Sequence, residues 1–107
     1  MLIRLTSRDF VEGKLNRTGV IVVMFYADWC PFCMFFKPQF EEYAKKGNTD
    51  FGEYNISHYD DPLWGQFQIK VVPSILVFKD GEIVKRKDGR LFRGLNKSDI
   101  DEATSSL

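Results

Sequence analysis

The sequence predicts an α/β fold in which a central mixed β-sheet of four to five strands is flanked by helices on both faces. Three observations carry this expectation. Short apolar runs alternate with helical spacing through the first two thirds of the chain, Val20 to Tyr26 has no polar face at all, and the last third switches to closely spaced hairpin turns. Strand–helix alternation implies parallel pairs, and hairpins add antiparallel ones.

Leu2 to Leu5 is a short apolar opening. Thr6, with Asp9 three residues on, reads as a helix cap leading into Phe10, Val11 and Leu15, so a first helix is expected to end near Asn16. Val20 to Tyr26 is β-branched and aromatic throughout, which suits a strand covered on both sides and makes it the expected central strand. From Pro31, Phe36, Phe40, Tyr43 and Ala44 recur at helical spacing until Gly47. Pro38 inside this stretch removes one backbone hydrogen bond, predicting a kink rather than two helices. Phe51 to Ile56 reads as a strand, and Asp61-Pro62 as a cap and first position of a short helix through Leu63 and Phe67. Ile75 to Phe78, the turn Asp80-Gly81 and Glu82 to Arg86 form a hairpin pattern, and Asp88-Gly89 marks a second turn before Leu91 and Phe92. Asn96 and Asp99 cap a last helix carrying Ile100 and Ala103.

Composition narrows the function classes. The 107 residues suit one domain, 1–107, and 44% apolar content with ten phenylalanines supplies a core without disulfide staples. Fifteen basic residues balance fifteen acidic ones, leaving no net field to draw the chain onto nucleic acid or anionic lipid. The longest apolar run, Val20 to Ala27, is far shorter than the roughly 20 residues a membrane span needs. A cytoplasmic protein is expected.

The chemistry concentrates in Trp29-Cys30-Pro31-Phe32-Cys33, which holds both cysteines of the chain and joins the central strand to the longest helix. Cys30 falls at the helix cap and Pro31 at the first helical position, so the unpaired amides of Phe32 and Cys33 can face the Cys30 sulfur and favour a thiolate there. Closing a disulfide between residues three apart must tighten the first turn, giving a strained, exposed and labile bond. So small a loop adds little stability, which favours redox exchange. A zinc site would need a second chain, because only His58 could join the two cysteines; an inert structural pair is the other alternative.

Around this pair the sequence resembles the thioredoxin family over essentially its whole length. The resemblance rests on Ala27-Asp28-Trp29-Cys30-Pro31-Phe32-Cys33 after an apolar strand, Pro38 five residues beyond Cys33, and Val71-Val72-Pro73-Ser74 before a strand. Phe78-Lys79-Asp80-Gly81 and Gly94-Leu95-Asn96-Lys97 follow in order. It implies a thioredoxin fold and a protein-disulfide oxidoreductase in which Cys30 attacks a substrate disulfide and Cys33 resolves the mixed disulfide, Cys30 and Cys33 then forming the redox disulfide. It also implies that Pro73 is a cis proline facing the cysteines, that the Val72 backbone pairs with an extended substrate, and that Trp29, Pro31, Phe32 and Gly94 complete the substrate rim. Gly89 competes with Gly94 for that last role. Disulfide-containing proteins are the implied substrates and a flavin-dependent thioredoxin reductase or glutathione the implied electron donor, to a monomer with no bound cofactor or metal.

Three departures qualify the resemblance. Pro31-Phe32 reverses the family's usual Gly-Pro, an order similar to glutaredoxins and some oxidising relatives; it leaves Phe32 an amide hydrogen as an extra donor to the Cys30 thiolate. Disulfide oxidase, isomerase and glutathione-dependent reductase are therefore alternatives, and a redox-inactive binding module is the non-enzymatic one. Met24 occupies the place of the family's buried Asp; Glu53 is the replacement proton acceptor or, more simply, a surface residue at a strand end. The hairpin region is longer, with Lys85, Arg86, Lys87, Arg90 and Arg93 as either a charged edge or a stripe for an acidic partner. His58 is expected to be solvated and without a role.

Overall fold

The computed structural model describes residues 2–47, 49–91 and 93–105. Its strands are β1 (Leu2–Arg4), β2 (Phe10–Val11), β3 (Lys14–Leu15), β4 (Val20–Tyr26), β5 (Asp50–Asn55), β6 (Ser74–Lys79) and β7 (Glu82–Lys87), and its helices α1 (Pro31–Ala44), α2 (Leu63–Gln66) and α3 (Lys97–Thr104). Five strands form one sheet in the order β1-β5-β4-β6-β7. β1 and β4 each run parallel to β5, whereas β6 is antiparallel to both β4 and β7. The sheet is therefore mixed, with β4 in the middle.

That position follows from composition. Ile21 to Tyr26 are buried on both sides of the strand, as an uninterrupted apolar run requires. One face packs beneath α1, where Phe40 meets Phe51 at 5.1 Å between ring centroids, and α3 joins α1 through the Tyr43 hydroxyl, which donates to Asp101 at 2.7 Å. On the other face Phe10 packs against Phe25, Tyr54, Phe67 and Phe78 at 5.3–6.2 Å. α2 supplies the helical cover on that side.

The expected first helix does not form. Thr6 and Asp9 make the capping box, with the Thr6 amide donating to Asp9 at 2.7 Å, but it closes only a 3₁₀ turn, Ser7–Asp9. Glu12 (φ 51°) and Gly13 (φ 76°) then take consecutive left-handed conformations, reversing the chain into the β2–β3 hairpin. A glycine poorly suited to helix interiors and well suited to this turn decides the outcome. α1 runs as one helix through Pro38. Beyond Asp88-Gly89, Leu91 is in a turn and Arg90 bridges Gly94 rather than starting a strand. Phe92 lies outside the described residues.

Candidate active site

β4 delivers the chain to the cysteines, and α1 begins on them. Cys30 has extended backbone (φ −105°, ψ 109°) and caps α1, with Pro31 in its first turn, where a missing amide costs nothing. The Cys33 amide donates to Cys30 Sγ at 3.2 Å, and the Cys30 thiol donates to the Val72 carbonyl at 3.4 Å. Both cysteines are free thiols. The Phe32 amide makes no bond to the sulfur, so the extra donor anticipated from the Pro-Phe order is not engaged in this state; the helical turn aims the Cys33 amide there instead.

Cys30 is also less open than a labile exposed disulfide suggests. It is only 5% exposed, and Cys33 is fully buried. Val72 lies across the Cys30 sulfur, which meets solvent through a cleft of about 440 Å³ lined by Trp29, Pro31, Phe32, Val71 and Val72 among others. Burial pushes the Cys33 thiol well above its ordinary value, and its own hydrogen bond to Cys30, which favours the protonated form, adds to the rise. At neutral pH Cys33 is thus held as a thiol under its partner.

The Val72–Pro73 peptide is cis. The two glycines weighed for one role occupy different ones. At Gly94 (φ 67°) an added Cβ would lie 2.8 Å from the Phe32 Cβ, whereas at Gly89 it would lie 2.2 Å from the Pro73 carbonyl oxygen. One lets the chain approach the inter-cysteine residues, and the other the proline loop.

Three aromatic rings flank the cysteines on one side. Trp29, Tyr59 and Trp64 form a triangle with centroids 5.2–6.4 Å apart and planes within 21° of parallel. Trp29 is 48% and Tyr59 78% exposed. The indoles are fixed by their polar tips: Trp29 Nε1 donates to the Ser57 carbonyl at 2.8 Å and Trp64 Nε1 to the His58 carbonyl at 2.9 Å. Asn55 Nδ2 donates to the Asp28 carboxylate at 3.1 Å, and the Asp28 amide donates to Ser57 Oγ at 2.8 Å, fastening this loop to the one bearing Trp29. Sequence reasoning missed Tyr59 and Trp64. Their trace was two large aromatics around the polar Asp60-Asp61-Pro62 turn, where no core position calls for them.

Glu53 is not a surface residue at a strand end. It is 2% exposed on β5, an inner strand, and sits opposite Met24 on the α1 side of the sheet. Arg4 Nε donates to Glu53 Oε1 at 3.3 Å, and Lys37 Nζ of α1 stands 3.9 Å from Oε2, which has no hydrogen-bond partner among the described residues. Lys37 also lies over the Tyr26 ring at 4.6 Å. The carboxylate missing from position 24 has a counterpart on the adjacent strand, paired with cations the sequence did not flag.

The basic cluster is largely neutralised within the chain. Lys87 pairs with Glu102 and with buried Asp99, Arg90 with Asp99 at 3.4 Å, and Arg86 with Asp88 at 2.8 Å. Pairing of this kind suits a charged sheet edge better than a free docking stripe. His58 is exposed. Among the described residues, no group of three or more His, Cys, Asp or Glu side chains could hold a metal ion, and no helix is long and apolar enough to cross a membrane.

Comparison with known proteins agrees with this geometry. The thioredoxin family profile matches residues 1–102. A thioredoxin-like protein of Fusarium culmorum is 29% identical over all of this chain and 91% of its own length, and thioredoxin 2 of Chlorobaculum tepidum is 30% identical over 91% of this chain and 90% of its own. Among solved structures, Fasciola hepatica thioredoxin superposes with a TM-score of 0.67 at 26% identity, covering 81% of this chain and 79% of that one. With a two-cysteine site at a helix start, a mixed five-stranded sheet and a profile match over nearly its whole length, the chain belongs to the thioredoxin family of thiol–disulfide oxidoreductases.

Proposed function

We propose that this chain is a monomeric, cytoplasmic reductase of protein disulfides, acting as one domain of 107 residues and recycled by a flavin-dependent reductase or by glutathione. The observation that carries the reading is Cys30 at the α1 cap, with the Cys33 amide 3.2 Å from its sulfur and Cys30 itself lining the cleft. That amide and the helix terminus stabilise negative charge on Cys30.

The cycle balances as follows. The Cys30 thiolate attacks one sulfur of the substrate disulfide, forming a mixed disulfide and releasing a substrate thiolate. Cys33 gives up its proton and attacks Cys30 Sγ, releasing the second substrate thiolate and leaving a Cys30–Cys33 disulfide. Two electrons and two protons pass to the substrate, and the donor then restores the dithiol.

Substrate would lie along Trp29, Pro31, Phe32, Val72, Pro73 and Gly94. Val72 supports this: its amide has no acceptor among the described residues, so an extended segment can pair with it. The Pro31-Phe32 order favours a second reading, disulfide oxidation or isomerisation, and a reduction potential measured against glutathione separates the two.

Insulin reduction with dithiothreitol tests the proposal. Wild type should accelerate it, Cys30→Ser should abolish the acceleration, and Cys33→Ser should accumulate a mixed disulfide visible by mass. No acceleration by wild type would leave a partner-binding module in place of an enzyme.

A further inference from the structure

We infer that the cleft over Cys30 selects protein disulfides whose reactive cysteine is flanked by an acidic residue and a large aromatic or apolar one. This rests on the reductase reading and adds the substrate class. The lining divides into two kinds of surface. Trp29, Tyr59 and Trp64 present near-parallel rings, with exposed Leu91 also in the lining, whereas Lys70 and Arg90 are its charged members; no carboxylate among the described residues lines it.

The two cations are not equivalent. Arg90 is already bonded to buried Asp99, so much of its charge is compensated. Lys70 is exposed and makes no ion pair with any described residue, which leaves an uncompensated positive charge next to Val71 and the substrate-pairing Val72. A glutamate or aspartate beside the substrate cysteine complements it, and a lysine there meets repulsion. The two indoles are held by bonds to the Ser57 and His58 carbonyls, and Tyr59 stacks against both, so packing on this wall costs little ordering. Glutathione offers the anionic groups but no side chain to cover three rings, so the aromatic wall favours a protein segment.

The test uses the reduced protein and synthetic peptide disulfides with Glu-Trp, Lys-Trp or Glu-Ala beside the reactive cysteine, alongside glutathione disulfide, read as the second-order rate constant of a single reduction in which the protein dithiol supplies both electrons. Wild type should prefer Glu-Trp over Lys-Trp by ~10-fold at low salt, with the gap closing at high ionic strength. Lys70→Glu should reverse that preference. The Glu-Trp over Glu-Ala preference, also ~10-fold, should vanish in Tyr59→Ala. Equal rates for Glu-Trp and Lys-Trp, an unchanged gap in Lys70→Glu, or faster turnover of glutathione disulfide would overturn the inference. A redox-free arm measures binding of linear Cys→Ser peptides by tryptophan fluorescence. If no disulfide is reduced yet Glu-Trp binding still depends on Lys70, the reductase reading fails and the selectivity stands; if reduction proceeds with no peptide preference, the selectivity alone fails.

Discussion

Gly94 and Phe32 approach so closely that a Cβ on the glycine would stand 2.8 Å from the phenylalanine Cβ. The glycine also has φ 67°, a conformation side chains resist. Gly94→Ala should therefore cost ~1–2 kcal/mol in urea unfolding. Gly89→Ala should cost more, because its clash is with the Pro73 carbonyl, backbone that cannot swing aside as a side chain can. Equal, small losses would show that both loops relax freely.

The buried Cys33 thiol ties stability of the reduced protein to alkaline pH. Its folded value is raised above the ordinary 9.0, chiefly by burial and then by the Cys30 hydrogen bond. The unfolded chain releases this proton first, so the contribution is complete below about pH 9 and is lost as pH climbs toward the folded value. Reduced wild type should lose up to ~1.4 kcal/mol per pH unit more than Cys33→Ala above that point. Tyr54, raised by burial and by its bond to Asp61, adds the same slope to both proteins, so their difference isolates Cys33. Parallel stability curves would contradict the assignment.

Asp61 joins two elements at once. Its carboxylate accepts from the Leu63 amide at 2.9 Å at the start of α2 and from the Tyr54 hydroxyl at 2.6 Å. Asp61→Ala should cost ~1–3 kcal/mol by chemical denaturation, combining a lost bond to the Leu63 amide with an orphaned phenol. Asp61→Asn, which keeps one acceptor oxygen for the Leu63 amide and turns its NH2 toward the Tyr54 hydroxyl oxygen, should recover at least half of that loss.

Lys37→Met removes the cation nearest Glu53 Oε2 and should destabilise by ~1–3 kcal/mol, less than for a fully buried pair because Lys37 reaches solvent. The double variant Lys37→Met, Glu53→Met should regain most of it, since the buried charge leaves with its partner. A double variant no more stable than the single one would assign the loss to lost packing of the lysine stem.

What could be read from the chain, and what could not, divides on physical grounds. β4 was legible because a strand buried on both faces has to be apolar throughout, and the start of α1 because a proline directly after a cap residue suits a first turn. The β2–β3 hairpin was hidden by a true capping box: Thr6 and Asp9 signal a helix start but not how far it propagates, and Glu12-Gly13 lacks the Asn-Gly pattern of such turns. Glu53 was misplaced because no local pattern reveals that β5 is covered by β1 on one side and β4 on the other. Cys30 and Cys33 were evident from spacing, whereas Tyr59, Trp64 and Lys70 reach the site only through tertiary folding.

The Asn55–Asp28–Ser57 side-chain clamp has a consequence for how this scaffold diversifies. The 57–60 segment is pinned to its neighbour by a few polar side chains rather than by the sheet's own pairing. It is therefore a natural graft point, where another loop that keeps Ser57 between the resident Asn55 and Asp28 can be transplanted to redirect partner choice while the sulfur chemistry stays untouched.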